Sequence, residues 1–426
     1  MLSPDTQAIL LLCASFGQNR QTEPFPLTLG EYNTLAGWLR AENMFPQDLL
    51  NPNFISRLSQ LTIGKLDSKR LVALLQRGGL LALTVEKWLN QGLWIISRGD
   101  ADYPLRLKQQ LKYLAPPILY GIGNKDLLSK GGLAVVGSRN VDQEGLDYTY
   151  HVVEACAEQN IQVISGGAKG VDQASMLGTL KVGGTVIGVL ANNLLKASVD
   201  GKYRTSIKEG KLTLISAVDP NASFHVGNAM RRNKYIYALA NYGLVISADY
   251  NTGGTWAGAT EALNTIKDVP ILVRIQGTIS EGNQHLLKQG AKPFPETPWN
   301  RPIKELIETT VSEYKSIEFR QNNTQLNLFS QDNHSVVSDN KDELTPQDPD
   351  ISSRDDALKS ASERLYYAVL PIILQELNQP QDPKSLATNL DVQVGQLSKW
   401  LKKAVTDKKV IKQTKNNQVI YKSNKV

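Results

Sequence analysis

Leu133-Ala134-Val135-Val136-Gly137-Ser138-Arg139 and Gln162-Val163-Ile164-Ser165-Gly166-Gly167-Ala168-Lys169-Gly170-Val171-Asp172 are the stretches that decide the fold. Each is a short apolar run that ends in glycines and a cation. Apolar runs of this length, bounded by turn residues, read as strands buried on both faces. Similar runs recur at Val186–Leu190, Leu212–Ser216, Leu244–Ser247 and Ile271–Arg274, with helical patterns near 143–158, 170–181, 229–241 and 256–266. Strands alternating with helices predict an α/β fold with a parallel, doubly wound, Rossmann-like sheet.

On the N-terminal side, residues 1–100 read as a helical domain. Leu35, Trp38 and Leu39, then Leu71, Leu74 and Leu75, recur at helical spacing, and Thr62-Ile63-Gly64 and Gly78-Gly79 punctuate them. The run Ala8–Cys13 lacks a preceding Lys or Arg and follows Asp5, so it predicts a buried first helix rather than a secretion signal. No segment approaches the apolar length of a membrane span. Cys13 and Cys156 are the only cysteines in 426 residues, which excludes a disulfide framework and suits a reducing, cytoplasmic compartment. With so few thiols and 4 histidines, no metal site is expected.

On the C-terminal side, residues 101–300 hold the Rossmann-like core and residues 316–360 read as a disordered acidic linker. Residues 361–426 read as three helices, Ala361–Leu377, Pro383–Asn389 and Val394–Thr406, followed by a hairpin over Val410–Lys422, the pattern of a winged helix. The linker carries 9 acids and 4 bases, whereas the terminal module carries 11 Lys and Arg against 5 acids. The overall net charge of +6 therefore resides in the last module, an asymmetry that points to a polyanionic partner.

In an open α/β sheet, ligands bind beyond the carboxyl ends of the strands. Three loops there are chemically loaded: Gly137-Ser138-Arg139, Ser165–Asp172, and Asn251-Thr252-Gly253-Gly254-Thr255. Glycines let backbone N–H groups approach an anion, and Arg139 and Lys169 add full charges. A fourth element, Met230-Arg231-Arg232-Asn233-Lys234, places three cations near a helix start. Singly, each is a tight turn or a solvated face; together they predict a phosphate site. There is no G-x-G-x-x-G and no P-loop lysine motif, so no nucleotide cofactor is expected.

These motifs resemble the DNA-processing protein A (DprA/Smf) family. Tyr103-Pro104, Leu107, Pro117–Tyr120 and Gly121–Asn124 are similar to the family's entry segment, and Val135–Arg139 to its first glycine loop. Ser165-Gly166, Ala168 and Gly170-Val171-Asp172 resemble its second loop, and Arg232-Asn233-Lys234 its Arg-Asn-Arg helix. Gly282-Asn283, Leu286-Leu287 and Gly290-Ala291 resemble its closing segment. The resemblance implies a non-enzymatic protein that binds single-stranded DNA, forms homodimers through the core and helps load the recombinase RecA during uptake of transforming DNA. It implies that Ser138, Arg139, Ser165, Gly166, Lys169, Arg232 and Lys234 face DNA phosphates, and neighbouring Arg231, Gly253 and Gly254 belong to the same expected site. Lys234 in place of arginine, Gly167 in place of leucine, the missing Tyr-Pro in Asn192–Gly201 and the Gly253-Gly254 loop mark a divergent branch.

Two other functions fit part of the pattern. The loop Gly253-Gly254-Thr255 with Glu261 is also similar to lysine-decarboxylase-like nucleotide phosphoribohydrolases, although Glu261 falls later than in that pattern. A ligand-sensing transcriptional regulator would combine an α/β core with a winged helix. Beyond the core, Lys399, Lys402 and Lys403 share one helix face and are candidate secondary DNA contacts. Gln325-Leu326-Asn327-Leu328-Phe329 resembles the pentapeptide that docks on the bacterial sliding clamp.

Overall fold

The computed structural model describes residues 2–16, 24–314 and most of 366–424, in two compact units, Met1–Asn333 and His334–Val426. The clamp-docking candidates Gln325, Leu326, Leu328 and Phe329 lie outside the described residues.

In the first unit, helices α1 (Pro4–Cys13), α2 (Leu29–Ala41), α3 (Pro52–Leu58), α4 (Ser68–Leu75) and α5 (Gly78–Asn90) precede strand β1 (Trp94–Ser97). Their starts follow capping rules: the Ser3 hydroxyl accepts from Thr6 N at α1, and Thr28 and Glu31 form a capping box at α2. Then come α6 (Leu105–Leu111), β2 (Ile118–Ile122), α7 (Leu127–Lys130), β3 (Leu133–Val136), α8 (Gln143–Glu158), β4 (Val163–Ser165), α9 (Val171–Lys181) and β5 (Val186–Leu190). They lead to α10 (Leu194–Ser198), α11 (Gly201–Lys208), β6 (Leu212–Ser216), α12 (Val226–Leu239), β7 (Tyr242–Val245), α13 (Gly253–Thr265), β8 (Ile271–Val273), α14 (Glu281–Lys288) and β9 (Lys292–Pro293).

The strands form one sheet in the order β1-β2-β6-β5-β4-β3-β7-β8-β9. From β6 to β9 all pairings are parallel, and β2 joins β6 antiparallel. The α/β class and the central parallel strands follow the sequence pattern, but β1 and β2 make the sheet mostly, not wholly, parallel. Alternation along β3 sends Ala134 and Val136 to one core with Ile236 and Leu239 of α12 and Ala259 and Ala262 of α13. Leu133 and Val135 enter the opposite core with Val152, Val153 and Cys156 of α8.

Helices α1–α5 do not close a core of their own. Ile9, Leu10, Leu35, Leu74 and Trp88 share one core with Tyr120, Val186, Leu212 and Leu214 of the sheet. Helices α1–α5 are thus a layer laid on the sheet, and β1 is a strand of that sheet. Among the described residues no helix is long and apolar enough to cross a membrane.

The second unit contains the helices Pro383–Asn389 and Val394–Thr406 and an antiparallel hairpin of Val410–Lys415 with Gln418–Ser423. Tyr366, Leu370, Leu377, Leu386, Leu397, Trp400 and Leu401 form its own core.

The junction of β1 and β2 depends on one glycine. Trp94 pairs with Gly121, where a Cβ would lie 2.2 Å from the indole ring, and Trp94 Nε1 donates to Gly123 O at 3.0 Å. Gly121→Ala should therefore lower stability by about 1–3 kcal/mol in urea denaturation, the usual cost of overpacking. In a Trp94→Ala background the same change should cost little; equal cost in both backgrounds would show that the ring contact is not the cause.

Candidate functional site

Strand order reverses between β3 and β7, neighbours whose chains leave toward opposite edges of the sheet. This is a topological switch point, where a crevice opens beyond the carboxyl ends. A cavity of about 530 Å³ lies there, lined by the loops after β3, β4 and β7 and by the starts of α12 and α13.

Arg232 and Asp172 are among the residues that line it, and both are nearly fully buried, at 7% and 6% exposure. Arg232 Nη1 lies 3.6 Å from Asp172 Oδ2, an ion-pair distance too long for a hydrogen bond. Nε and Nη1 have no hydrogen-bond partner. Burial pushes the Asp172 carboxyl above its usual range, opposed by Arg232 and by backbone N–H donors of Gly137 and Ala168. Burial likewise lowers the Arg232 guanidinium, opposed by Asp172. Gly166 makes room for the pair, since a Cβ there would fall 1.3 Å from Arg232 Nη1. Gly170, at φ +87°, brings the second loop against Ser138 and Arg139.

Besides Arg232, the expected site residues divide into four groups. Arg139, Gly253 and Gly254 are exposed and line the cavity, Arg231 is exposed in the adjoining cleft, and Lys169 is exposed next to Ala168 of the cavity wall. Ser138 lines the cavity, its hydroxyl donating to Asp249 Oδ2 at 3.3 Å and accepting from Asn140 N. Ser165 and Gly166 are buried; the Ser165 hydroxyl donates to Val135 O at 2.6 Å and is spent inside the fold. Lys234 is ion-paired with Glu261 in a groove between α12 and α13, beside the cavity rather than in it. Gly282 and Asn283 act structurally: Asn283 Nδ2 donates to Val245 O, Ile246 O and Arg274 O, fixing the chain as it leaves β7.

Sequence reading missed Phe224. It lines the cavity, is 51% exposed, and lies with its ring centroid 5.7 Å from the Arg139 guanidinium carbon. It follows Pro220-Asn221-Ala222-Ser223, a polar loop with no motif; a lone aromatic in such a loop was the one signal. In the second unit, Lys399 and Lys402 are exposed, whereas the Lys403 ammonium lies 5.0 Å from the Tyr366 ring centroid.

The buried pair has a pH signature. Arg232→Met leaves the Asp172 carboxylate buried without its cation and should cost about 3–5 kcal/mol at neutral pH. The folded-state pKa of Asp172, already raised, would rise further above its unfolded value. The deficit should be smallest below about pH 4, where the carboxyl is protonated in both states, and should grow with pH. Urea denaturation of both proteins across pH measures it; a deficit independent of pH would mean that Asp172 is not the group left exposed to the penalty.

A family model described as DNA recombination-mediator protein A matches residues 94–301. The chain is 30% identical over 196 residues to DNA processing protein DprA of Streptococcus pneumoniae, covering 45% of this chain and 68% of that protein. It is 27% identical over 217 residues to DNA processing protein DprA of Bacillus subtilis, covering 48% of this chain and 68% of that one. The X-ray structure of DprA from S. pneumoniae aligns with a TM-score of 0.44 and 22% identity, over 62% of this chain and 94% of that chain. With 30% identity to the S. pneumoniae protein over more than two thirds of that protein, and the family model matching residues 94–301, the chain belongs to the DprA/Smf family of DNA-processing proteins.

Proposed function

We propose that this chain binds single-stranded DNA at the switch-point cavity, without catalysis, and serves DNA uptake and recombination in the cytoplasm. One observation carries the reading: the exposed Phe224 ring lies against the exposed Arg139 guanidinium at the cavity, with Arg231 and Lys169 exposed nearby. A single strand supplies both matching groups, phosphates for the cations and unstacked bases for the ring. A duplex keeps its bases stacked and would leave the ring unused. Membership of a DNA-processing family supports the same ligand class. A hydrolase using Glu261 would need that carboxylate in the cavity, whereas it lines the neighbouring groove paired with Lys234.

Residues 361–426 are a winged helix that adds DNA contacts, supported by its helices, its hairpin and the exposed Lys399 and Lys402. The core forms a homodimer and delivers strands to the recombinase RecA. The segment Gln325–Phe329, in the acidic linker 316–360, docks on the sliding clamp.

Neutralising one cation that touches a phosphate should flatten the dependence of log affinity on log salt by about 0.7 for a single strand. Binding of an oligothymidine across a salt series should show this for Arg139→Ala and Lys169→Ala, whatever the base sequence. Unchanged slopes in both would remove the cavity from the DNA path. In the full chain, Lys399→Ala with Lys402→Ala should flatten the slope as well; if it does not, the terminal unit has another task.

A further inference from the structure

The cavity has two levels with different chemistry. The exposed Arg139 and Phe224 occupy the mouth, while Arg232 is more than nine-tenths buried, with Nε and Nη1 unpartnered. A buried guanidinium without hydrogen bonds is costly, and Asp172 at 3.6 Å does not recover them. The group that satisfies such a guanidinium is an oxyanion, whose several oxygens can accept from more than one of its N–H groups.

A phosphate inside a strand is a poor candidate at that depth. It carries a sugar on each side, and both would have to enter the cavity with it. A terminal phosphate monoester has one substituent and three free oxygens, with a charge near −1.5 to −2 at neutral pH. It can descend while its own nucleotide remains at Phe224, and about 530 Å³ lies within the ordinary range for a small-ligand site. Two carboxylates also line the cavity. Asp172 is offset by Arg232 and by the N–H groups of Gly137 and Ala168, and Asp249 accepts from the Ser138 hydroxyl. Facing them are Arg139 and the first turn of α13 at Gly253 and Gly254, whose N–H groups favour an anion.

Building on the reading of this cavity as a DNA-phosphate site, we infer that Arg232 forms a terminal-phosphate site, which takes the phosphate monoester of a DNA end or of a free nucleotide. Arg232 is then the residue that distinguishes an end from the interior of a strand.

The test is fluorescence anisotropy of the full chain with an oligothymidine bearing a 5′-phosphate, a 3′-phosphate or neither. One phosphorylated form should bind about tenfold tighter than the unphosphorylated strand, the effect of one charged bidentate contact. Arg232→Lys keeps the net charge but loses the fork, so it should erase that ratio. Displacement of the preferred strand by thymidine monophosphate, but not thymidine, identifies a free nucleotide as a ligand. A preference that thymidine monophosphate cannot displace identifies the DNA end. Equal, tight binding of all three strands overturns the inference and leaves the single-strand reading standing. Failure to bind any of them overturns that reading itself. A preference that persists in a folded Arg232→Lys protein removes Arg232 from the role; if that variant does not fold, the end preference and the displacement by the unsubstituted chain still decide.

Discussion

The guanidinium of Arg232, held inside the protein beside Asp172, constrains everything around the switch point. It requires Gly166 to have no side chain, since a Cβ would overlap Nη1. It requires α9 to begin with a carboxylate aimed inward, and Asp172 is the second residue of that helix. Next to it, α12 runs close against α13, an approach that Gly258 permits by placing no side chain against Asn233. Burying two opposite charges at ion-pair rather than hydrogen-bond distance is a poor way to stabilise a fold. On the proposed reading, the arrangement is a site held ready for an anion, with its donors already desolvated.

Around this pair, the fold separates two tasks. Sheet strands and the cores on both faces set the depth of the loops, while the loops themselves carry exposed charge. Arg139, Lys169 and Arg231 remain in solvent, where pairing with phosphate releases counterions and costs little desolvation. Phe224 adds an apolar face at the same place, so one cavity presents the groups that both parts of a nucleotide use. Helices α1–α5 contribute to the core behind β2 and β6, and Cys13, Ser15, Phe25 and Thr28 are among the residues that wall a second cleft, which shares Phe224 with this cavity.

Much of this was legible in the sequence, and what was not has physical reasons. Strands β3 to β6 announce themselves because burial on both faces demands continuous apolar runs. β1 and β2 were hidden: Trp94-Ile95-Ile96-Ser97 follows a helical region directly, and Ile118–Ile122 contains Gly121, whose purpose appears only when Trp94 lies across it. The glycine loops and the cations of α12 stood out in the sequence as candidates for an anion site. Their depths were not, because Arg231 and Arg232 are adjacent in sequence yet one is exposed and the other buried. Helical periodicity turns neighbouring side chains about 100° apart, and only the packed partner helix decides which one points inward. Ser165 and Lys234 look like ligand groups in the chain, but local carbonyls and Glu261 take up their polar atoms.

Preference for single strands over duplex is the central claim, and a direct affinity comparison tests it most directly. The full chain should bind an oligothymidine about tenfold or more tightly than a duplex of equal length at the same salt, and Phe224→Ala should narrow that gap by removing a stacking platform. Equal affinity for the two, or tighter binding of the duplex, would contradict the account and favour a reader of double-stranded DNA.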